Sequence, residues 1–184
     1  MKFTEPYFTS KPRGLASRIR IVFFRMWGMR LGKRNRFEKG RVRSSYKIII
    51  GNDNAFTAGY MLWPIEDNLD VPRIHIGSGN YFNRNLMIDA CGLIVIGDNN
   101  MFGPDIYITD ANHRFQPGLS SKELPMNIGR VTIGNNCWIG AKAVILKDVH
   151  LGDNCIVGAG AVVTRSFPAG SIIAGVPAKL IKQI

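Results

Sequence analysis

Three histidines, His75, His113 and His150, are the side chains best suited to moving a proton near neutral pH. They are separated by 38 and 37 residues, so local sequence brings no two of them together. His75 and His150 adjoin regular apolar positions and are expected at the surface. His113 differs. It stands in Thr109-Asp110-Ala111-Asn112-His113-Arg114-Phe115, where a regular apolar pattern stops. A lone histidine is more often structural than catalytic, but one placed at the mouth of a long loop reads as a general base. The three cysteines, Cys91, Cys137 and Cys155, have no CxxC spacing, and their odd number points to a reducing compartment.

The pattern that stops there must position His113. Ile133, Ile139, Ile145, Leu151, Val157 and Val163 recur every six residues. A helix needs apolar residues at three and four, and an ordinary strand needs them at two. A period of six fits a coil of three short strands per turn, whose turns stack about 4.8 Å apart as parallel strands. The alternative, separate short strands of a sandwich, has no reason to keep step. Gly follows four of the six aliphatics, and Cys137, Ala143, Val149, Cys155 and Ala161 stand four residues after one. These slim residues let the wall close around the aliphatic. Cys137 and Cys155 should stack on adjacent turns as small core residues.

The same period runs upstream with interruptions. Leu31 and Phe37 begin it loosely, and Ile50, Phe56 and Leu62 are cleaner. Residues 63–73, with two prolines and three acids, form an excursion. Ile76, Phe82 and Ile88 resume it; the step from Ile88 to Ile96 is eight, a bulge around Cys91 and Gly92. After Ile96, Phe102 and Ile108 the next regular position is Ile133, so residues 110–130 leave the coil as a long loop. Loops beyond about 12–15 residues in a compact domain are usually functional or disordered.

The chain of 184 residues carries a net charge of +11, unevenly placed. Residues 1–47 hold 14 Lys and Arg against Glu5 and Glu38, giving +12, and the remainder carries −1. Residues 1–13 read as an extended arm. From Gly14 to Leu31, residues Leu15, Ile19, Val22, Phe23, Met26 and Trp27 make one helical face. Such a helix either caps the open end of the coil or a neighbouring subunit, or lies on an anionic membrane. Nothing here looks like a nucleic-acid recognition module. No run approaches the roughly 18 apolar residues of a spanning helix, and the first residues lack the apolar centre of a secretory signal. The expected location is therefore cytoplasmic.

Asn83-Arg84-Asn85, the IGDNN turn at 96–100, the His113 loop, IGNNCWIGAKAVI at 133–145, LGDNCIVGAGAVVT at 151–164 and AGVPAKLIK at 174–182 together carry a resemblance. The chain resembles the hexapeptide-repeat acyltransferases of the sugar O-acetyltransferase type, such as the galactoside and maltose acetyltransferases and their polysaccharide-modifying relatives. The resemblance covers about 74–184 and implies a left-handed parallel β-helix. The expected organisation is a basic arm and amphipathic helix at 1–30, the β-helix at 31–177 with its loop at 110–130, and a short helical tail at 178–184.

The resemblance also implies direct acetyl transfer from acetyl-CoA. His113 takes the proton from an acceptor hydroxyl as its oxygen attacks the thioester. Asp110 or a loop carbonyl holds the other ring nitrogen; both stay open. The Ala141 backbone N–H serves the developing oxyanion. Trp138, Ala141, Ala159 and Thr164 line the pantetheine path, and Arg165, Lys179 and Lys182 meet the phosphate and adenine end. Asn83, with Asn85 and Asp89 near it, belongs to the acceptor side, although the acidic position of relatives falls on Cys91. Metal is not expected: zinc sites on such coils, as in the gamma-type carbonic anhydrases, use two histidines five apart. The implied assembly is a homotrimer with each site between two subunits. O-acetylation of a sugar in surface polysaccharide or glycolipid assembly leads; N-acetylation of an amino sugar and a silent β-helix scaffold are the alternatives.

Overall fold

The structure, a computed structural model, describes residues 11–184, with side chains from Gly14 onward. The expected arm at 1–10 lies outside the described residues. From Arg30 to Val163 the chain visits three faces in turn, leaving a strand of two to four residues on each. The first face stacks Arg30–Leu31, Ile48–Ile50, Ile74–Ile76, Leu93–Ile96, Arg130–Ile133 and His150–Leu151. The second runs from Arg36–Phe37 through Ala55–Phe56, Tyr81–Phe82, Met101–Phe102, Trp138–Ile139 and Ile156–Val157 to Ser171–Ala174. The third runs from Arg41–Val42 to Val162–Val163. Neighbours in each stack are parallel, with equivalent residues paired: Ile76 with Ile96, Ile96 with Ile133, Ile133 with Leu151. The described residues are mostly β, built of parallel sheets wound as a coil, with one α-helix among them.

The six-residue period fills the inside. Ile133, Ile139, Ile145, Leu151, Val157 and Val163 are each at most 1% exposed. Upstream the second face inserts aromatics: Phe37, Phe56, Phe82 and Phe102 stack with centroids 4.7, 4.4 and 4.7 Å apart. Each such buried side chain contributes about 1.5–3 kcal/mol, and each stacked pair about 0.5–1.5 more.

A second column occupies the corner between the first and second faces. Asn54 Nδ2 donates to Asn35 Oδ1 at 3.1 Å, Asn80 Nδ2 to Asn54 Oδ1 at 3.0 Å, and the Asn100 N–H to Asn80 Oδ1 at 2.9 Å. The column ends where Asn100 Oδ1 accepts the Cys137 N–H at 2.7 Å. Cys137 and Cys155 continue it as buried thiols, and burial pushes Cys137 up to about 11. These asparagines stand four residues after Leu31, Ile50, Ile76 and Ile96, where the downstream turns have Cys.

The excursion expected at 63–73 begins later, because Trp63 and Pro64 stay in the strand Met61–Pro64, paired with Asp89 and Ala90. A fully buried lysine anchors the shortened excursion. Lys47 Nζ donates to the Ile65 carbonyl at 3.1 Å and forms an ion pair with Asp67, which also receives Arg73 Nη2 at 2.8 Å. The long loop is partly ordered as a hairpin, Ala111–His113 antiparallel to Met126–Ile128.

The two ends differ from expectation. Helix α1 spans Lys11–Met26, so residues 11–13 are helical rather than part of an arm. Its Ser17, Ile21 and Phe24 side lies on the first turn, while the face of Leu15, Ile19, Val22, Phe23, Met26 and Trp27 stays exposed. The C-terminal tail, expected as a helix from 178, is the strand Lys179–Gln183, antiparallel to Ser171–Ala174. So short a segment cannot hold a helix alone, whereas the open edge of the second face offers unpaired N–H and C=O groups.

Candidate active site

Strand alternation turns the residue before each second-face core position outward. Tyr81, Met101, Trp138 and Ile156 pair successively and form one outer row. The next corner then follows with glycine: Gly103, Gly140 and Gly158. A Cβ on Gly140 would stand 2.5 Å from the Ala159 nitrogen, so the turns can stack this closely only without one. Row and corners enclose a groove of about 530 Å³, lined by Trp138, Ala141, Ala159 and Asn83 among others. The lining is mainly apolar, with Tyr81 and Asn83 among its residues. Among the described residues no group accepts the N–H of Ala141 or Ala159, while the Ala141 carbonyl takes the Gly160 N–H at 2.8 Å.

The row continues beyond the groove. Ile156 pairs with Ile172, and Ile172 with Lys182; Ala174 pairs with Lys179. Directly opposed residues share a side of a sheet, so both lysines stand on the outer side of the second face. Thr164 and Arg165 follow the third-face strand Val162–Val163 and are exposed, with the Arg165 guanidinium 5.3 Å from the Phe167 ring centroid.

His113 is elsewhere. Its hairpin leaves after Tyr107–Thr109 on the third face and returns into Arg130–Ile133 on the first. The groove lies along the second face and its corner with the third. One chain therefore holds His113 and the groove at different corners of the coil. His113 is exposed, and its Nδ1 lies 3.1 Å from the Leu124 carbonyl oxygen. Of the two orienters, the loop carbonyl is the one found.

Asp110 has another task. Its buried carboxylate accepts the Cys91 N–H at 2.7 Å and the Gly92 N–H at 2.9 Å, pinning the two-residue bulge to the next turn. Burial pushes its pKa up, against those two donors. Asp89 lies on the outer side of the third face and takes the Tyr107 hydroxyl at 3.3 Å. It is on the hairpin side, away from Asn83. Asn85 is a corner residue with φ of 60°, and its Nδ2 donates to Asp105 Oδ1 at 2.8 Å.

Residues 130–165 match the model of the bacterial transferase hexapeptide family, described as six repeats. Over this stretch the chain is similar to the hexapeptide-repeat transferases. It is 40% identical over 111 residues to galactoside O-acetyltransferase of Escherichia coli, covering 60% of this chain and 54% of that protein. It is 43% identical over 108 residues to nodulation protein L of Rhizobium meliloti, covering 58% of each. The chain thus spans little more than half the length of these curated relatives. In fold it is similar to AntD, an N-acyltransferase from Bacillus cereus solved with dTDP and 3-hydroxybutyryl-CoA: TM-score 0.74, 21% identity, 89% of this chain and 87% of that one.

The chain gathers Trp138, Ala141, Ala159 and Asn83 in one groove and sets Lys179 and Lys182 on the same face. It does not bring His113, Asp110 or Asp89 to that groove. His75, expected at the surface, is half-buried on the outer side of the first face, its Nε2 without a partner among the described residues. Burial, then Arg30 and Arg130, push its pKa down. Tyr81 and Met101 are groove residues outside the quoted motifs, and Ile156 lies inside one without being singled out. The hexad itself marks them, since each precedes a second-face core residue by one.

Proposed function

We propose that the protein transfers an acetyl group from acetyl-CoA to a sugar hydroxyl. The observation that carries this reading is the apolar groove edged by the Ala141 and Ala159 N–H groups, both without an acceptor among the described residues. A pantetheine arm is long, narrow and mostly apolar with two amides, and it suits an apolar groove edged by two backbone N–H groups. Acetyl-CoA supplies the acetyl thioester. Trp138 and Ala159 bound the arm, and the Ala141 N–H meets the negative charge that develops on the carbonyl oxygen. One preorganised donor of this kind is worth on the order of 10²–10³ in rate. Thr164, Arg165, Lys179 and Lys182 take the far end and its phosphates. His113, with Nδ1 held by the Leu124 carbonyl, uses Nε2 to remove the acceptor proton. Asn83 and Asn85 at the groove corner, and Asp89 on the hairpin side, contact the sugar.

The coil is read as a left-handed β-helix over 31–177, assembled as a homotrimer. The separation of His113 from the groove in one chain supports this, because a neighbour's hairpin can complete the site. The hairpin region carries exposed apolar residues suited to such a contact, Phe115 at 79% and Ile128 at 51%. The acceptor is placed in surface polysaccharide or glycolipid synthesis, in the cytoplasm at the inner membrane face. The relatives' names support the O-acetyl reading: one is named galactoside O-acetyltransferase and another "Putative lipopolysaccharide biosynthesis O-acetyl transferase WbbJ", both of Escherichia coli.

The test is turnover of acetyl-CoA over a panel of sugars and amino sugars, read by mass spectrometry, beside a titration of CoA binding. O-linked acetyl on a sugar product is expected. N-linked acetyl alone would replace this reading with amine acylation. Absence of CoA binding would reduce the coil to a scaffold.

A further inference from the structure

Helix α1 has two apolar sides and needs only one for the fold. At about 3.6 residues per turn, Ser17, Ile21 and Phe24 share a side. That side is on the coil: Ser17 Oγ accepts the Phe37 N–H at 2.9 Å, and the Phe24 ring meets Phe37 edge-on at 5.3 Å. Leu15, Ile19, Val22, Phe23 and Met26 share the opposite side; Leu15 is 65% exposed and Met26 72%. Trp27, 66% exposed, extends this stripe past the helix end, its ring 5.8 Å from Phe23. Behind it a slot of about 350 Å³ opens between α1 and the first turn, lined by Phe24, Val42 and Tyr46. Single exposed apolar residues are ordinary, but a contiguous stripe of large ones marks a contact surface.

The charge around the stripe selects the partner. Arg18 and Arg25 follow one edge, and Arg30 is exposed just beyond. Arg25 Nη2 donates to the Leu31 and Gly32 carbonyls at 3.2 and 2.9 Å, which leaves its charge uncancelled. Among the described residues neither Arg18 nor Arg25 forms an ion pair. Residues 1–47 carry +12 while the rest of the chain carries −1. A second copy docked here would face the same positive charge. Nucleic acid would match the charge but not the apolar stripe. Apolar side chains rimmed by arginine suit the headgroup boundary of an anionic bilayer, with the helix lying in its plane. No described helix is long and apolar enough to cross a membrane.

We propose that the exposed side of α1 seats this end of the coil on an anionic lipid bilayer. The proposal goes beyond the acetyl-transfer reading and does not rest on it. Leu15, Ile19, Val22, Phe23, Met26 and Trp27 enter the interface, and the neighbouring arginines meet the lipid headgroups.

The experiment is flotation of the full chain with vesicles of phosphatidylglycerol and phosphatidylcholine in equal parts, and with phosphatidylcholine alone. The variant is L15S/V22S/M26S, whose altered positions face solvent, so melting and oligomeric mass should match the wild type. Wild type should float with the mixed vesicles at about 0.1 M salt, at least about tenfold more strongly than with phosphatidylcholine. The variant should bind at least about tenfold more weakly, and Trp27→Phe should remove any blue shift of emission on binding. Three results would overturn the proposal. The first is wild type that stays unbound at low salt. The second is a variant that floats as well as wild type and is displaced by RNA, which would make this end a site for polyanions. The third is a variant that loses oligomeric mass with flotation unchanged, which would assign the stripe to a second copy.

Discussion

His113 Nδ1 lies 3.1 Å from the Leu124 carbonyl oxygen, across the hairpin that carries both. A carbonyl only accepts, so Nδ1 holds the proton and Nε2 keeps the lone pair. The ring is thus fixed in the tautomer that a general base at Nε2 requires. His113→Ala should lower kcat by about 10²–10⁴-fold and leave CoA affinity unchanged. Steady-state kinetics and calorimetry check this together; unchanged turnover would remove both the base and the role of the hairpin.

Ala159 is exposed at the groove, next to a glycine corner. Ala159→Leu should fold normally and lose CoA binding, because the larger side chain would occupy the path proposed for the pantetheine arm. Mixing this variant with His113→Ala during refolding tests where the base comes from. In mixed oligomers with sites between subunits, about a quarter of sites receive both intact halves. Recovered activity near that level supports a shared site. No recovery in oligomers proven to be mixed would place His113 and the groove of one chain in the same site.

The asparagine column predicts a stability effect far from any chemistry. Asn80 Oδ1 accepts the Asn100 N–H at 2.9 Å, and its Nδ2 donates to Asn54 Oδ1 at 3.0 Å and the Gly97 carbonyl at 2.9 Å. Asn80→Ala leaves these buried groups unmatched and should cost about 2–4 kcal/mol in denaturant unfolding. An equally stable variant would mean that water or a relaxed corner replaces the side chain.

Lys47 and Asp67 predict an acid-side effect. The Lys47 ammonium, ahead of the Leu69 N–H and Arg73, holds the Asp67 carboxyl below the ordinary carboxylate range against the opposing effect of desolvation. A depressed folded pKa gives stability that is present above the unfolded value, near 3.9, and lost as pH falls through the lower folded one. Asp67→Asn should therefore melt lower at neutral pH and lose less than wild type on acidification below about pH 4. Parallel melting curves across that range would show that the pair adds nothing.

The coil is legible in the sequence because its period is set by the core. Ile133 to Val163 could not slip by one residue without turning every aliphatic outward. The groove is half legible. Trp138, Ala141 and Ala159 come with the motif, whereas Tyr81 and Met101 fall in a turn where the pattern says only which residues point out. Asp110 is easily misread because sequence shows its nearness to His113 and hides the bulge at Cys91 and Gly92 that claims its oxygens. The tail misleads for a related reason. Its composition suits a short helix, and only the open edge at Ser171–Ala174 makes it a strand.

The strict pairing of Ile133 with Leu151 makes chain length a quantised quantity. Removing residues 134–151 would join Ile133 to Gly152 and keep every later residue on its own face, one storey lower. Removing six would send each later strand back to the preceding face, and the lysines of the tail would leave the groove's side. Such a protein can be shortened or extended only by whole storeys, while insertions are free at corners that already carry a balcony, as at 110–130.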